Sequence, residues 1–82
     1  MVAKYTETQG QYLAFIDSYI TIHGYAPAEA DLQQFFRKTP PTIHQMILKL
    51  EDKGFISRVP GRARSIKLLI DSNGLPRLKR SQ

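Results

Sequence analysis

Apolar residues along the 82-residue chain recur first at helical and then at alternating spacing, and the change falls at Gly54. Tyr12, Leu13, Ile16, Tyr19 and Ile20 return at the period that gathers side chains on one helical face, so they predict a first helix. Thr6 with Gln9 three residues on forms a capping box at its start, and His23-Gly24 suits its end, glycine taking the left-handed turn. Leu32, Phe35 and Phe36 supply the buried side of a short second helix, with Glu29 and Asp31 in a first turn that favours negative charge. Ile43, Ile47 and Leu50 then predict a third helix within TPPTIHQMILKLEDKG. Pro41 suits a first helical position and disfavours helix at Pro40, which places the start at Pro41 and the stop at Gly54. A capping box of Thr42 and Gln45 would instead start it slightly later.

Past Gly54, Phe55–Val59 and Ser65–Ile70 are short, rich in branched residues and separated by Pro-Gly-Arg-Ala-Arg, the pattern of a hairpin. Ile66, Leu68 and Ile70 are expected inward, with Arg58, Arg62, Arg64 and Lys67 around the tip and outer face. Two helices joined by a tight turn, then a third element with a polar front and a basic hairpin, predict an α+β winged helix-turn-helix of three helices and a two-stranded wing. Residues 1–72 are assigned to this domain. Residues 73–82, basic and without an apolar period, are expected to form a flexible tail.

Charge sharpens the picture. One lysine against four acids gives residues 1–36 a net −3, whereas eleven Lys or Arg against three acids give residues 37–82 a net +8, together the +5 of the whole chain. That asymmetry fits a polyanion-facing half, and its basic residues sit mostly in loops, strands and tail rather than in the amphipathic helix a membrane surface requires. No cysteine is present and the two histidines lack a partner of matching spacing, so no metal and no cofactor are expected. No apolar run is long enough to span a bilayer, and the start MVAKYTETQG lacks the apolar stretch of a signal peptide; a cytoplasmic protein is expected. Neither nucleophile, metal cluster nor phosphate loop is evident, so no reaction is expected.

Residues from about Thr6 to Ile70 resemble the amino-terminal DNA-binding domain of the LexA repressor family. The first helix ending in HG, the YAP lead into helix two, TIHQMILKLEDKGFISR and the closing GRARSIKLL carry the resemblance. It implies a sequence-specific regulator of transcription, a repressor occupying a promoter, with helix three in the major groove of double-stranded DNA. The family's two-domain members continue into a self-cleaving serine-lysine protease part that also supplies dimerisation. This chain stops first, so at most a weak homodimer on the duplex is expected. Ala28 stands where a Ser or Thr cap is usual, and the turn before helix three, which reads as short, carries Arg37-Lys38 in place of a glycine and an apolar residue.

By match to the family's recognition helix, Thr39, Pro41, Thr42, His44 and Gln45 are the expected base-reading residues. Gln45 can pair bidentately with adenine, a threonine can touch a thymine methyl, and His44 can donate to guanine or phosphate. Arg58, Arg62 and Arg64, supported by Lys38, Lys49 and Lys53, are the expected contacts to the DNA backbone. The plainer reading of each is a solvated charged surface. Phe15, Phe35, Phe36 and Phe55 fall on core faces. Two competing functions remain: a winged-helix module for protein interaction, and a targeting or accessory domain serving a partner chain.

Overall fold

The computed structural model describes residues 5–79 and contains three helices, α1 (Glu7–His23), α2 (Glu29–Phe36) and α3 (Pro40–Asp52), followed by strands β1 (Ile56–Ser57) and β2 (Lys67–Leu68). The strands pair antiparallel with Ile56 opposite Leu68 and Ser57 opposite Lys67. This is the expected winged helix-turn-helix. Leu13 and Ile16 of α1, Leu32 of α2, Ile43, Ile47 and Leu50 of α3, and Ile56 and Ile66 from the wing close one core. Each fully buried aliphatic side chain contributes about 1.5–3 kcal/mol, so α3 is anchored by three such residues along one face. Among the described residues no helix is long and apolar enough to cross a membrane.

The helix ends account for the angles between elements. At α1 both halves of the capping box form: Thr6 Oγ1 accepts from the Gln9 amide at 3.1 Å, and Gln9 Oε1 accepts from the Thr6 amide at 2.9 Å. Ala28 offers α2 no side-chain cap. Asp31 supplies the other half, its Oδ2 accepting from the Ala28 amide at 2.8 Å. Arg37 ends α2 at φ 56, the left-handed position that glycine fills more cheaply, and the Lys38 amide donates back to Gln33 O at 3.2 Å.

Helix α3 starts one residue before its predicted position, with Thr39 as the cap residue and Pro40 already helical. The clash that Pro41 imposes on its predecessor falls partly on that residue's N–H, and Pro40 has none. The paired prolines also remove two of the four N–H groups that a helix start leaves unpartnered. Thr42 lies inside the helix and shares a 2.9 Å hydrogen bond with the Thr39 hydroxyl, so the alternative start at Thr42 is not used. The far end is a Schellman closure around Gly54 (φ 80): Gly54 N–H donates to Glu51 O and Phe55 N–H to Leu50 O, both at 3.0 Å. Leu50 and Phe55 are both buried in the core, and this closure directs the chain from α3 into the wing.

The wing is less regular than its sequence suggests. Only two residues of each predicted strand are laddered, with one further bond from Leu69 N–H to Phe55 O at 2.9 Å. Val59-Pro60-Gly61-Arg62 instead closes a turn, Arg62 N–H donating to Val59 O at 3.0 Å with Gly61 at φ 78, the geometry of a type II turn. Ser65 Oγ then accepts from the Val59 amide at 2.9 Å and donates to Arg62 O at 2.8 Å, replacing ladder bonds with side-chain ones. Ile66 is buried and Leu68 and Ile70 are half-buried, as the alternation requires, while Lys67 and Leu69 face out.

Contacts continue past residue 72. Leu75 and Leu78 pack against the core, Gln11 donates to Arg77 O at 2.9 Å and accepts from the Lys79 amide at 2.7 Å, and Lys79 Nζ lies 2.9 Å from Glu7. The first part of the expected tail is therefore a strap along α1. Two leucines three residues apart suffice for this because Gln11 satisfies the backbone that an isolated strand leaves bare. Residues 80–82, with Arg80 of the basic tail, lie outside the described residues.

Candidate nucleic-acid interface

With Ile43, Ile47 and Leu50 turned inward, the opposite ridge of α3 faces solvent by helical geometry alone. Thr39, Pro41, Thr42, His44, Gln45 and Lys49 are all exposed, and so are Lys38 before the helix and Lys53 after it. The Thr39 and Thr42 hydroxyls hold each other. Gln45, Lys38, Lys49 and Lys53 make no side-chain hydrogen bond or ion pair among the described residues, which leaves their polar ends free for an external partner. His44 is the exception on this ridge: its Nδ1 sits 3.1 and 3.2 Å from the two carboxylate oxygens of Glu29, at the first turn of α2.

The ridge and the wing border one open cleft of about 340 Å³, in which Glu29 and His44 from the helices face Arg58, Gly61, Arg62 and Arg64 from the wing. The polar helix face thus meets the cationic loop at His44. The three arginines are placed very differently. Arg62, at the tip beside Gly61, is exposed, and its side chain has no partner among the described residues. Arg58 reaches back to α3, its Nε donating to Glu51 at 3.1 Å with only 15% of the side chain exposed.

Arg64 has the most partners, although 41% of its side chain stays exposed. From a left-handed backbone position (φ 57) its guanidinium donates to the Tyr19 hydroxyl at 3.0 Å and to Ala26 O at 3.1 Å, pairs with Asp31 at 3.2 Å, and lies 5.0 Å from the Tyr25 ring centroid. The Tyr19 hydrogen bond, foremost, and the nearby Asp31 charge hold the guanidinium even more firmly protonated than usual. Arg64 fastens the wing to α1, the α1–α2 connection and α2 together. Asp31 serves both this clamp and the α2 cap through the same oxygen.

Sequence reasoning assigned Glu29 and Asp31 only to the charge preference of a helix start, and Tyr19 only to the core. Their partners lie fifteen residues away for Glu29, thirty-three for Asp31 and forty-five for Tyr19. No local pattern spans such distances. Gln11 was not singled out in the sequence, and its partners are in the strap.

Three helices with a free polar ridge on the third, beside a basic two-stranded hairpin, define a winged helix-turn-helix domain. The chain belongs to a particular family of that class: the model of the LexA DNA binding domain matches residues 2–65. It is 42% identical over 66 residues to the LexA repressor of Thermosipho melanesiensis, covering 80% of this chain and 33% of that protein. Identity is 44% over 64 residues to the LexA repressor of Thermosipho africanus (78% and 32%) and 40% over 75 residues to that of Pseudothermotoga lettingae (92% and 37%). The chain spans about a third of the length of these curated relatives.

Proposed function

We propose that this domain binds double-stranded DNA in a sequence-dependent way and represses transcription in the cytoplasm by occupying a promoter, as the names of its relatives suggest. Helix α3 enters the major groove, where Gln45 pairs with adenine and Thr42, Pro41 and Thr39 contact neighbouring base edges or methyl groups. Arg62 at the wing tip, with Lys38, Lys49 and Lys53, neutralises phosphates. Arg58 and Arg64 contribute chiefly by holding the wing in place, and any phosphate contact of theirs is secondary. The observation that carries this reading is the shared cleft: His44 of the α3 ridge and the free Arg62 of the wing tip line the same opening.

One copy presents one recognition helix and so reads one half-site. Two copies on a two-fold operator, with half-site centres about one helical turn apart, are the homodimeric form of the proposal. A second reading, a module that docks a partner chain, draws support from the apolar groove formed by Phe15, Ile22, Phe35 and Leu78, in which Ile22 is 75% exposed. Salt titration separates the two. Four phosphate contacts predict that log affinity falls against log salt with a slope of roughly −3.6, and a slope near zero, or no duplex binding in about 0.1 M salt, favours the docking module.

A further inference from the structure

The Glu29–His44 pair stands on the proposed DNA face, where an isolated carboxylate would repel phosphates. Its two oxygens lie 3.1 and 3.2 Å from one ring nitrogen of His44, Nδ1. An ionised carboxylate can only accept hydrogen bonds, so Nδ1 carries the proton. A neutral imidazole has one donor and one acceptor, and the bond made by one nitrogen fixes the role of the other. Nε2, on the far side of the ring, is then a bare acceptor. It has no hydrogen-bond partner among the described residues, and 49% of the His44 side chain is exposed.

We propose that Glu29 is a specificity-determining residue of this domain: by holding the proton on His44 Nδ1 it makes Nε2 an acceptor, and the ridge therefore selects a base bearing an exocyclic amine. In the major groove those bases are adenine, through N6, and cytosine, through N4. Guanine offers only the acceptors O6 and N7 there, and thymine the acceptor O4 and a methyl group. A histidine free to adopt its other tautomer would donate to guanine instead. The helix thus reads one position through a residue that does not itself meet the duplex, and α2 helps to set what α3 accepts. This inference rests on the reading of α3 as the major-groove helix.

The test selects bound duplexes from a random pool at about pH 8.5, where a free imidazole is neutral, using the unaltered protein, His44→Ala and Glu29→Ala. His44→Ala marks the base pair at which preference disappears. At that position the unaltered protein favours adenine or cytosine over guanine about tenfold, and Glu29→Ala lowers that ratio to within about twofold while the other positions keep theirs. Because removing Glu29 also removes a negative charge, the ratio between bases is the readout, not the affinity. Nitrogen NMR of the His44 ring in the free protein gives a second readout: proton on Nδ1 in the unaltered protein, and a larger share on Nε2 in Glu29→Ala. Guanine favoured at the marked position, a ratio untouched by Glu29→Ala, or an Nε2 proton in the unaltered free protein each overturn the inference alone. Failure to select any duplex overturns the DNA-binding reading and this inference with it.

Discussion

Helix α3 and the wing flank the same cleft, yet they expose their polar side chains on opposite terms. The helix satisfies its backbone internally and fixes its orientation with Ile43, Ile47 and Leu50, so most of its ridge needs no further support. The wing has a ladder of two residues per strand, too short to stand alone. It is held by side chains instead, and Arg58 and Arg64 are engaged in holding it while Arg62 is free. A regular element leaves its functional groups available; an irregular one uses some of them as fasteners.

The largest test removes what the two regions share. Leu50→Ala removes a fully buried core side chain at the helix-to-wing junction, and chemical denaturation should give a loss of about 2–5 kcal/mol. A loss below about 1 kcal/mol would mean that the junction does not depend on this packing. Next, lysine substitutions separate fastening from charge. Arg64→Lys keeps the charge but not the planar fork, and should lower the midpoint of chemical denaturation, with duplex affinity falling alongside. Arg62→Lys should leave both close to the unaltered protein. Equal behaviour of the two variants would erase the contrast between the arginines.

The turn into α3 offers a smaller effect of opposite sign. Arg37→Gly relieves a left-handed residue and should raise the midpoint of thermal unfolding by an amount corresponding to roughly 0.5–1 kcal/mol. A lowered midpoint would show that the Arg37 side chain contributes more than its backbone costs. The smallest effect lies away from both regions, at the strap. Lys79 holds the Glu7 carboxyl below the usual carboxylate range, by its hydrogen bond first and its charge second. A lowered folded-state value means the contribution is present above the ordinary carboxylate range and is lost as pH falls through the depressed one. Amide exchange at residues 75–79 should therefore quicken in acid relative to the intrinsic rate and no longer do so in Glu7→Gln, while α3 is unaffected.

Periodicity made the helices legible because each depends on neighbours three or four residues away: Thr6 with Gln9, Ile43 with Ile47, Gly54 closing on Glu51. The order of elements and the exposed ridge followed. The single-residue error at Pro40 arose where two prolines adjoin, a case in which the usual clash is weakened. Long-range partnerships were not legible. Nothing near Arg64 in the chain announces Tyr19, Ala26 and Asp31, and a basic loop reads alike whether its arginines point outward or fold back. The strap was hidden for a similar reason, since Leu75 and Leu78 make no period and Gln11 lies more than sixty residues away.

The central claim, that the α3 ridge discriminates bases while the wing tip holds the backbone, is tested most directly by measuring Gln45→Ala and Arg62→Ala on a selected and on a scrambled duplex across salt. Gln45→Ala should cost about 1–3 kcal/mol on the selected duplex and little on the scrambled one, with an unchanged salt slope. Arg62→Ala should weaken both alike and reduce the slope by about 0.9. Identical losses on the two duplexes for both variants would contradict the division between helix and wing.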